Sequence, residues 1–506
     1  MSQLRVLICS SEVAPFAKTG GLADVAGALP GALKRLGCDV RVFMPLYRSV
    51  RGQIEMFDWD GYAVLTFAGY PHRVNFWEGR TVEGVPIYFL ERDEFFDRSY
   101  LYGSPRRGDY EDNPVRFIAL SQAVSTLCQW LDWFPHILHI HDWQTALVAP
   151  YLRYLWRADW RFDHTRTVLT IHNLGYQGMF PGSVFGLMGL PSPVFSASGL
   201  EFWGHCNFLK GGIVYSDWLT TVSPTYSREI QQMAFGRGLD GVIRDHRDRL
   251  DGILNGVDYG EWNPETDPNL PARFSGMDLS GRTRCKTELI DEIQLAPECK
   301  GKPLLAMISR LDAQKGFDLL LAALPQLMAE DVGLVILGTG DLGIQEALTG
   351  HERELAGRLR FVPRFDEALA HRIEAGSDIF LMPSRYEPCG LNQMYSLRYG
   401  CIPVVHATGG LEDSVIDLVE SPETGNGFKF VDYTPVAFLQ SVRAALDLLV
   451  QPEAWRVVQQ RAMVQDFSWD RAAREYLHLF ERIAPPLTRS FTGASGVAQE
   501  VVQQEG

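Results

Sequence analysis

The same glycine-containing segment occurs twice in this chain, each time between a predicted strand and a predicted helix. TGGLADV begins at Thr19, after the apolar run LRVLICS, and TGGLEDSV begins at Thr408, after IPVVHA. Any tight strand-to-helix turn favours glycine, so one copy alone would carry little weight. Two copies indicate a duplicated architecture and predict two Rossmann-like domains that face each other across a deep cleft.

Alternating strand and helix patterns surround both copies. In the first half the runs DVRVFMP, PIYFLER, HILHIHD, TVLTIHN and WLTTVSP predict strands, and residues 22–37 predict a helix that Pro30 kinks. Residues 51–113 lack this alternation and predict irregular, aromatic structure. In the second half PLLAMISR, GLVILGT, LRFVPRF, DIFLMPS and IPVVHA predict further strands. This alternation is typical of an α/β fold with parallel sheets.

Length and composition indicate where the domains divide. A chain of 506 residues exceeds what one hydrophobic core usually supports. A proline-containing segment, residues 258–272, separates the two alternating blocks. We therefore predict a first domain over residues 1–260 and a second over 261–484. The small and polar residues 485–506 predict a disordered tail.

The charge and cysteine content exclude several classes of protein. A net charge of −15 disfavours nucleic acid or an anionic membrane as the main partner. No apolar run approaches the roughly eighteen residues of a membrane span, and the N-terminus resembles a strand more than a signal peptide. The eight cysteines are scattered without metal-ligand spacing, which predicts a reduced, cytoplasmic protein.

The first glycine segment has the composition of an anion-binding turn. Gly20 and Gly21 leave backbone N–H groups accessible where a helix begins, and the helix dipole adds partial positive charge there. Lys18 contributes a full positive charge beside them. The turn therefore predicts phosphate binding, although a packing turn with a solvated lysine is the commoner role of a lone glycine pair.

Two loops of the second half carry a complementary set of charges. ISRLDAQKG places Arg310 and Lys315 after one predicted strand, and PSRYEPCGLNQ places Glu387 after another, just before a helix near Gly390. Open α/β sheets bind ligands at the carboxyl ends of their strands. Two cations, one carboxylate and a helix N-terminus suit a diphosphate joined to a polyhydroxylated ring. The alternative is a surface role for the cations and a simple ion pair between Glu387 and Arg385.

Two further motifs support competing hypotheses. GTGDLG at residues 338–343 matches a dinucleotide-binding pattern, and Asp366 follows at a distance that suits a ribose hydroxyl. The motif lies in the second strand–helix unit of its half rather than the first, which weakens the nicotinamide hypothesis. DWD at Asp58–Asp60 resembles the metal-binding motif of another class of sugar transferase, but a solvated turn is the simpler interpretation.

Seven ordered motifs between about Arg5 and about Pro485 resemble those of bacterial glycogen synthases and plant starch synthases. They are KTGGLADV, HIHDWQTAL, TIHNLGYQG, LNGVD, SRLDAQKG, SRYEPCGLNQMYSLRYG and TGGLEDSV. Members of that family are retaining glycosyltransferases of the GT-B fold that use ADP-glucose. The resemblance also implies that a last helix, near residues 470–484, crosses back to the first domain.

The resemblance implies roles for individual residues. Arg310 and Lys315 would hold the donor phosphates, and Glu387 and His172 would orient the glucose, which makes these four the expected catalytic residues. Phe365 would lie against the adenine, and Asp142 would face the acceptor. The full set of expected substrate-binding residues is Lys18, Gly20, Gly21, Asp24, Asp142, Asn173, Asn255, Phe365, Ser384, Tyr386, Cys389, Gly390, Leu391, Thr408 and Gly409.

Three positions depart from common patterns of the family and its relatives. Gln144 stands where the family often has histidine, which makes the acceptor contacts less certain. Tyr386 replaces a frequent phenylalanine, a mild change. Tyr395 stands where wider GT-B relatives carry a second acid, as it does in glycogen synthases, and so disfavours a generic UDP-sugar enzyme.

The expected function is glucose transfer from ADP-glucose to the non-reducing end of an α-1,4-glucan such as glycogen, starch or a maltooligosaccharide. We expect no metal or other cofactor, and no nucleic acid or membrane partner. The location would be cytoplasmic, or the plastid stroma if a transit peptide has been removed. The alternatives are a UDP-glucose-dependent sucrose- or trehalose-type synthase, a nicotinamide oxidoreductase, and a glucan-binding protein without catalysis.

Overall fold

The computed structural model describes residues 3–485 except 54, 59, 60, 105–107 and 356. It contains two parallel sheets covered by helices, one in each half of the chain, which confirms the predicted α/β fold. Apart from Pro485, the predicted tail lies outside the described residues. No helix within the described residues is both long and apolar enough to cross a membrane.

The first half forms a domain around a mixed ten-stranded sheet. Its helices are α1 (Gly21–Arg35), α2 (Asp93–Phe96), α3 (Asn113–Trp130), α4 (Asp142–Thr145), α5 (Val148–Tyr154), α6 (Phe208–Tyr215), α7 (Pro224–Glu229) and α8 (Asp240–Asp245). Its strands are β1 (Arg5–Cys9), β2 (Asp39–Pro45), β3 (Phe57–Asp58), β4 (Ala63–Phe67), β5 (Tyr70–Arg80), β6 (Pro86–Glu91), β7 (Gly103–Ser104), β8 (Gly108–Asp109), β9 (Ile137–His141), β10 (Arg166–Ile171), β11 (Met179–Pro181), β12 (Glu201–Phe202), β13 (His205–Asn207), β14 (Trp218–Thr221) and β15 (Leu250–Gly252).

Seven strands of this sheet are parallel, in the order β15-β14-β10-β9-β1-β2-β6. Counted along the chain among these parallel strands, this is the doubly wound order 3-2-1-4-5-6 with one strand added. The order reverses between β1 and β9, so the loops after these two strands diverge and leave a crevice. The glycine segment follows β1, and Asp142 follows β9.

The predicted irregular stretch is partly wrong, because β5 and its neighbours extend the sheet in antiparallel fashion. Strand β5 pairs with β6 on one side and with β3 and β4 on the other. Along β4, Ala63, Leu65 and Phe67 are buried, while Val64 and Thr66 are exposed. This two-residue alternation is that of a strand with one solvated face, unlike the continuous apolar runs of the parallel core.

The second half forms a domain around six parallel strands in the order β18-β17-β16-β19-β20-β21, which is again 3-2-1-4-5-6. The strands are β16 (Leu304–Ile308), β17 (Gly333–Leu337), β18 (Leu359–Val362), β19 (Ile379–Met382), β20 (Ile402–His406) and β21 (Phe428–Phe430). The helices are α9 (Ser280–Glu292), α10 (Phe317–Leu327), α11 (Leu342–Glu354), α12 (Glu367–Gly376), α13 (Asn392–Tyr399), α14 (Gly409–Ser414), α15 (Pro435–Leu449), α16 (Pro452–Met463) and α17 (Trp469–Ile483).

The last helix, α17, packs on the first domain. Asp470 at its start forms an ion pair with Arg35 at the end of α1, at 2.7 Å. The rings of Tyr476 and Phe480 lie 5.2 and 5.4 Å from the ring of His139 in β9. The chain therefore passes between the two domains twice, once in residues 253–279 and once before α17.

Candidate active site

A cavity of about 690 Å³ separates the carboxyl ends of the two sheets. It is lined by loops after β1, β9 and β10 of the first domain and by loops after β16, β18 and β19 of the second. Every site residue expected from the sequence lines this cavity except Tyr386, Thr408 and Gly409. The structure therefore brings the charged residues of both halves to one place.

The first glycine loop is fixed from behind by a buried carboxylate. Glu12 accepts hydrogen bonds from the Thr19 hydroxyl at 2.7 Å, from the Thr19 backbone N–H, and from the Tyr102 hydroxyl at 2.6 Å. Among the described residues, no side chain caps the N-terminus of α1 at Gly20. Gly20 and Gly21 line the cavity, so the N-terminus of α1 lies where its backbone N–H groups could meet an anion.

The positive charge of Lys18 lies beside the first turn of α1. Its Nζ lies 2.7 Å from the carboxylate of Asp24, one turn into α1. Burial works to lower the pKa of Lys18, but Asp24 and, more weakly, Glu367 and Glu261 raise it above its usual range. The lysine therefore stays protonated at any physiological pH, and a bound diphosphate would meet a full positive charge.

Three buried polar residues, Asp142, His141 and His172, lie at the bottom of the cavity on the first-domain side. The backbone N–H of His172 donates to Asp142 at 2.7 Å, and the Nε2 of His172 lies 2.9 Å from the Nδ1 of His141. Burial lowers the pKa of His172 to about 3, so its ring is neutral and acts through hydrogen bonds rather than charge. Burial raises the pKa of Asp142 to about 7, against hydrogen bonds from His172 and Asn173 that lower it.

Two buried acceptor atoms beside this floor have no partner within the described residues. They are the side-chain oxygens of Asn255 and Gln144, both of which line the cavity. A buried oxygen without a protein partner needs a donor from a water molecule or a ligand. Sugar hydroxyls are donors of this kind, so both residues fit a carbohydrate. Gln144 can therefore accept a hydrogen bond despite replacing the family's frequent histidine.

On the second-domain side, Lys315 forms an ion pair with the buried Glu387. The lysine Nζ lies 2.7 Å from the Glu387 carboxylate, which also accepts from the Ser384 hydroxyl at 3.0 Å. Glu387 does not pair with Arg385, which instead binds Asp318 at 2.5 Å. The surface-pair alternative is thus wrong for Glu387. The Glu387 side chain is only 7% exposed and needs the lysine to offset the cost of burial.

The remaining second-domain residues surround this pair. Arg310 lies 3.4 Å from Asp312 and is half exposed, so its guanidinium is available to a ligand. Cys389 and Gly390 precede α13, and burial raises the pKa of the Cys389 thiol to about 12, so it remains neutral. The ring of Phe365 is 80% exposed at the rim, where a flat base could stack on it.

The dinucleotide motif does not have the geometry of a phosphate-binding turn. Asp341 caps α11, accepting from the Ile344 N–H at 2.9 Å, and so places a carboxylate where a pyrophosphate would lie. A Cβ on Gly338 would lie 1.8 Å from the Ser309 carbonyl oxygen, so this glycine serves close backbone packing. Asp366 is engaged by Arg364 at 2.8 Å. Of DWD, Asp58 ends β3, and Asp60 lies outside the described residues.

Tyr386, Thr408 and Gly409 do not line the cavity among the described residues, and they contact the first domain, so their predicted role at the donor stays a prediction. Glu229 in α7 accepts from the Thr408 hydroxyl at 2.9 Å and from the Gly409 N–H at 3.0 Å. The ring of Tyr386 lies 4.9 Å from the guanidinium of Arg237. These residues connect the domains behind Glu387.

Comparison with known proteins decides the family. Residues 5–245 match the family described as "Starch synthase catalytic domain", and residues 291–456 match "Glycosyl transferases group 1". The glycogen synthase of Anaeromyxobacter sp. (strain Fw109-5) is 49% identical over 484 residues, covering 96% of this chain and 100% of that protein. The chain belongs to the glycogen and starch synthase family. The glycogen synthase of Koribacter versatilis (strain Ellin345) is 45% identical over 488 residues, or 95% of this chain and 98% of the relative.

Solved structures place this synthase in the same fold. The catalytic domain of Starch Synthase IV from Arabidopsis thaliana, bound to ADP and acarbose, superposes with a TM-score of 0.88 at 35% identity. It covers 95% of this chain and 99% of that one. A sucrose-phosphate synthase from Thermosynechococcus elongatus reaches a TM-score of 0.58 at 16% identity and shares the fold alone. The synthase is therefore a glycosyltransferase of the GT-B fold, as the sequence motifs implied.

Proposed function

We propose that this synthase transfers glucose from ADP-glucose to the 4-hydroxyl at the non-reducing end of an α-1,4-glucan, with retention of configuration, in the cytoplasm. One observation carries the proposal. Lys18 and His172 of the first domain line the same cavity as Arg310, Lys315 and Glu387 of the second. That set provides positive charge for a diphosphate and neutral or anionic acceptors for sugar hydroxyls.

The positive groups favour departure of the nucleotide. Lys18, Arg310 and Lys315 would stabilise the negative charge that develops on the diphosphate as its bond to glucose breaks. The uncapped N-terminus of α1 adds partial positive charge from the backbone. On the same face of the sugar, an oxygen of the leaving diphosphate would take the proton of the acceptor hydroxyl. The new bond then forms on the face that the old bond left, which retains the configuration.

The uncharged and acidic groups orient the sugars. His172 is neutral, so its ring can hydrogen-bond to a glucose hydroxyl without opposing the positive charge that develops at the anomeric carbon. Glu387, released in part from Lys315 when a diphosphate binds, would accept from glucose hydroxyls. The protein thus contributes mainly position and charge stabilisation.

The donor nucleotide is tested by competition. We expect label from ADP-glucose to enter glycogen with a kcat/KM about tenfold or more above that from UDP-glucose. A tenfold ratio corresponds to a difference of about 1.4 kcal/mol in activation free energy between the two donors. Tyr395, stacked 3.9 Å from Trp262, supports ADP-glucose, because it stands where an acid would suit a UDP-sugar enzyme. The exposed Phe365 ring could stack on the base of either donor. A preference for UDP-glucose would favour the sucrose- or trehalose-type alternative.

Glucose transfer should persist without divalent metal. The cavity offers Lys18, Arg310 and Lys315, which can do the electrostatic work that Mg²⁺ or Mn²⁺ performs in metal-dependent transferases. Metal-stripped protein in excess EDTA should therefore retain at least about half of its rate. Loss of activity in EDTA with rescue by Mg²⁺ or Mn²⁺ would contradict this mechanism.

A further inference from the structure

A cluster of three possible metal ligands lies at the rim of the cavity. Glu261, in the connection between the domains, approaches Glu367 and His371 of α12. One carboxylate oxygen or ring nitrogen from each residue lies within 4.8 Å of the others. The cluster is separate from the ion pair of Lys315 and Glu387, because its residues come from other elements.

The histidine of this cluster is held through one of its two ring nitrogens. Its Nδ1 lies 2.7 Å from the carboxylate of Asp267 and 3.2 Å from the Tyr399 hydroxyl. Its ring is 2% exposed and stacks on Trp262 at 3.8 Å. An Nδ1–H that donates to a carboxylate leaves Nε2 with its lone pair, and this is how metal-binding histidines are usually held.

The two glutamates supply the other two possible ligands of the cluster. Glu367 and His371 are four residues apart on α12 and therefore share one face of the helix. The Glu261 and Glu367 carboxylates repel each other at this distance unless a proton or cation lies between them. Lys18 also attracts both glutamates, but its ion pair at 2.7 Å is with Asp24. One imidazole nitrogen with two carboxylate oxygens is a ligand set that suits zinc.

We propose that Glu261, Glu367 and His371 bind a divalent transition-metal ion of the zinc type, with water in the remaining position. Ligand distances of about 2.0–2.2 Å require ligand atoms about 3.4 Å apart, closer than the 4.8 Å limit found here. Both glutamates are exposed and can move inward, whereas His371 is already fixed. The bound ion would join the interdomain connection to α12 beside Phe365, at the rim of the cavity rather than at the phosphates.

Co²⁺ is a suitable probe, because its visible absorption reports coordination by protein ligands. Titration of the metal-stripped full chain should show one saturable site, and Zn²⁺ should displace the Co²⁺ signal. Glu261→Gln and Glu367→Gln should each weaken Co²⁺ binding at least about tenfold. Glu354→Gln is the matched control, since it removes an exposed glutamate that lies 3.3 Å from His351, and it should leave the titration unchanged.

A second variant tests how the histidine is held. Asp267→Asn should weaken Co²⁺ binding about tenfold to a hundredfold, since the residue behind a metal-bound histidine sets its orientation. Thermal melting without metal checks that each variant folds. Absence of a saturable signal, or equal binding by the wild type and both glutamate variants, would overturn the proposal. Because binding is read by absorption, this outcome is independent of whether EDTA affects glucose transfer.

Discussion

Replacing Glu387 by glutamine is expected to lower glucose transfer about tenfold to a hundredfold. Glutamine keeps the shape of the side chain but removes the charge that meets Lys315 at 2.7 Å and Ser384 at 3.0 Å. Hydrogen bonds to charged groups are worth roughly 1.5–3 kcal/mol, and about 1.4 kcal/mol corresponds to a tenfold change in rate. The loss should appear in kcat, because the carboxylate orients the glucose that reacts.

The measurement is the initial rate of label incorporation into glycogen, with the donor concentration varied. Glu346→Gln is a suitable control, since this glutamate is exposed on α11 of the same domain and away from the cavity. Melting curves separate a catalytic loss from misfolding. A folded Glu387→Gln protein with wild-type turnover would show that the carboxylate does not act on the sugar.

The fold could be predicted largely because parallel strands have continuous apolar sequences. Each run that was predicted as a strand contains a strand in the structure, from β1 to β20. The antiparallel extension was missed because a strand with one solvated face has few consecutive apolar residues, as in β4. The short β21 (Phe428–Phe430) was missed as well, because three residues give no periodicity.

The site could be predicted where motif residues follow strand ends, since chain order alone brings those loops to one edge of the sheet. Glu12 could not be predicted this way. Its function depends on Thr19, seven residues away, and on Tyr102, ninety residues away, and no spacing connects the three. Glu261, Glu367 and His371 meet only because the interdomain connection passes α12. Such contacts depend on tertiary structure and leave no local pattern.

The repeated glycine segment shows why similar sequence does not ensure similar function. A Cβ on Gly20 would meet no atom within 4 Å, so this turn has room for a ligand. A Cβ on Gly409 would lie 1.9 Å from the Glu387 carbonyl oxygen, and its φ of 46° disfavours other residues. The second copy therefore packs behind Glu387 and binds Glu229 of the first domain. The first copy faces the cavity, whereas the second packs behind a residue that lines the cavity, Glu387.

Both lysines of the cavity are expected to act on the diphosphate of the donor. Lys315→Ala and Lys18→Ala should each lower kcat/KM for the donor about tenfold to a hundredfold, since each removes a charged contact. Glucan binding should change little in either variant. Binding to immobilised glycogen, measured beside donor kinetics, checks this separation.

Stability then distinguishes the two sites. The partner of Lys315 is Glu387, with a side chain only 7% exposed, so Lys315→Ala leaves a buried carboxylate without its cation. Breaking such a pair from one side costs about 3 kcal/mol or more. The Lys18 side chain is 45% exposed beside Asp24, and a pair of that kind contributes about 1 kcal/mol or less. Denaturant unfolding should therefore show a clear loss for Lys315→Ala and a small one for Lys18→Ala. Equal losses, or a folded Lys315→Ala protein with unchanged donor kinetics and reduced glucan binding, would show that Lys315 does not hold the donor phosphates.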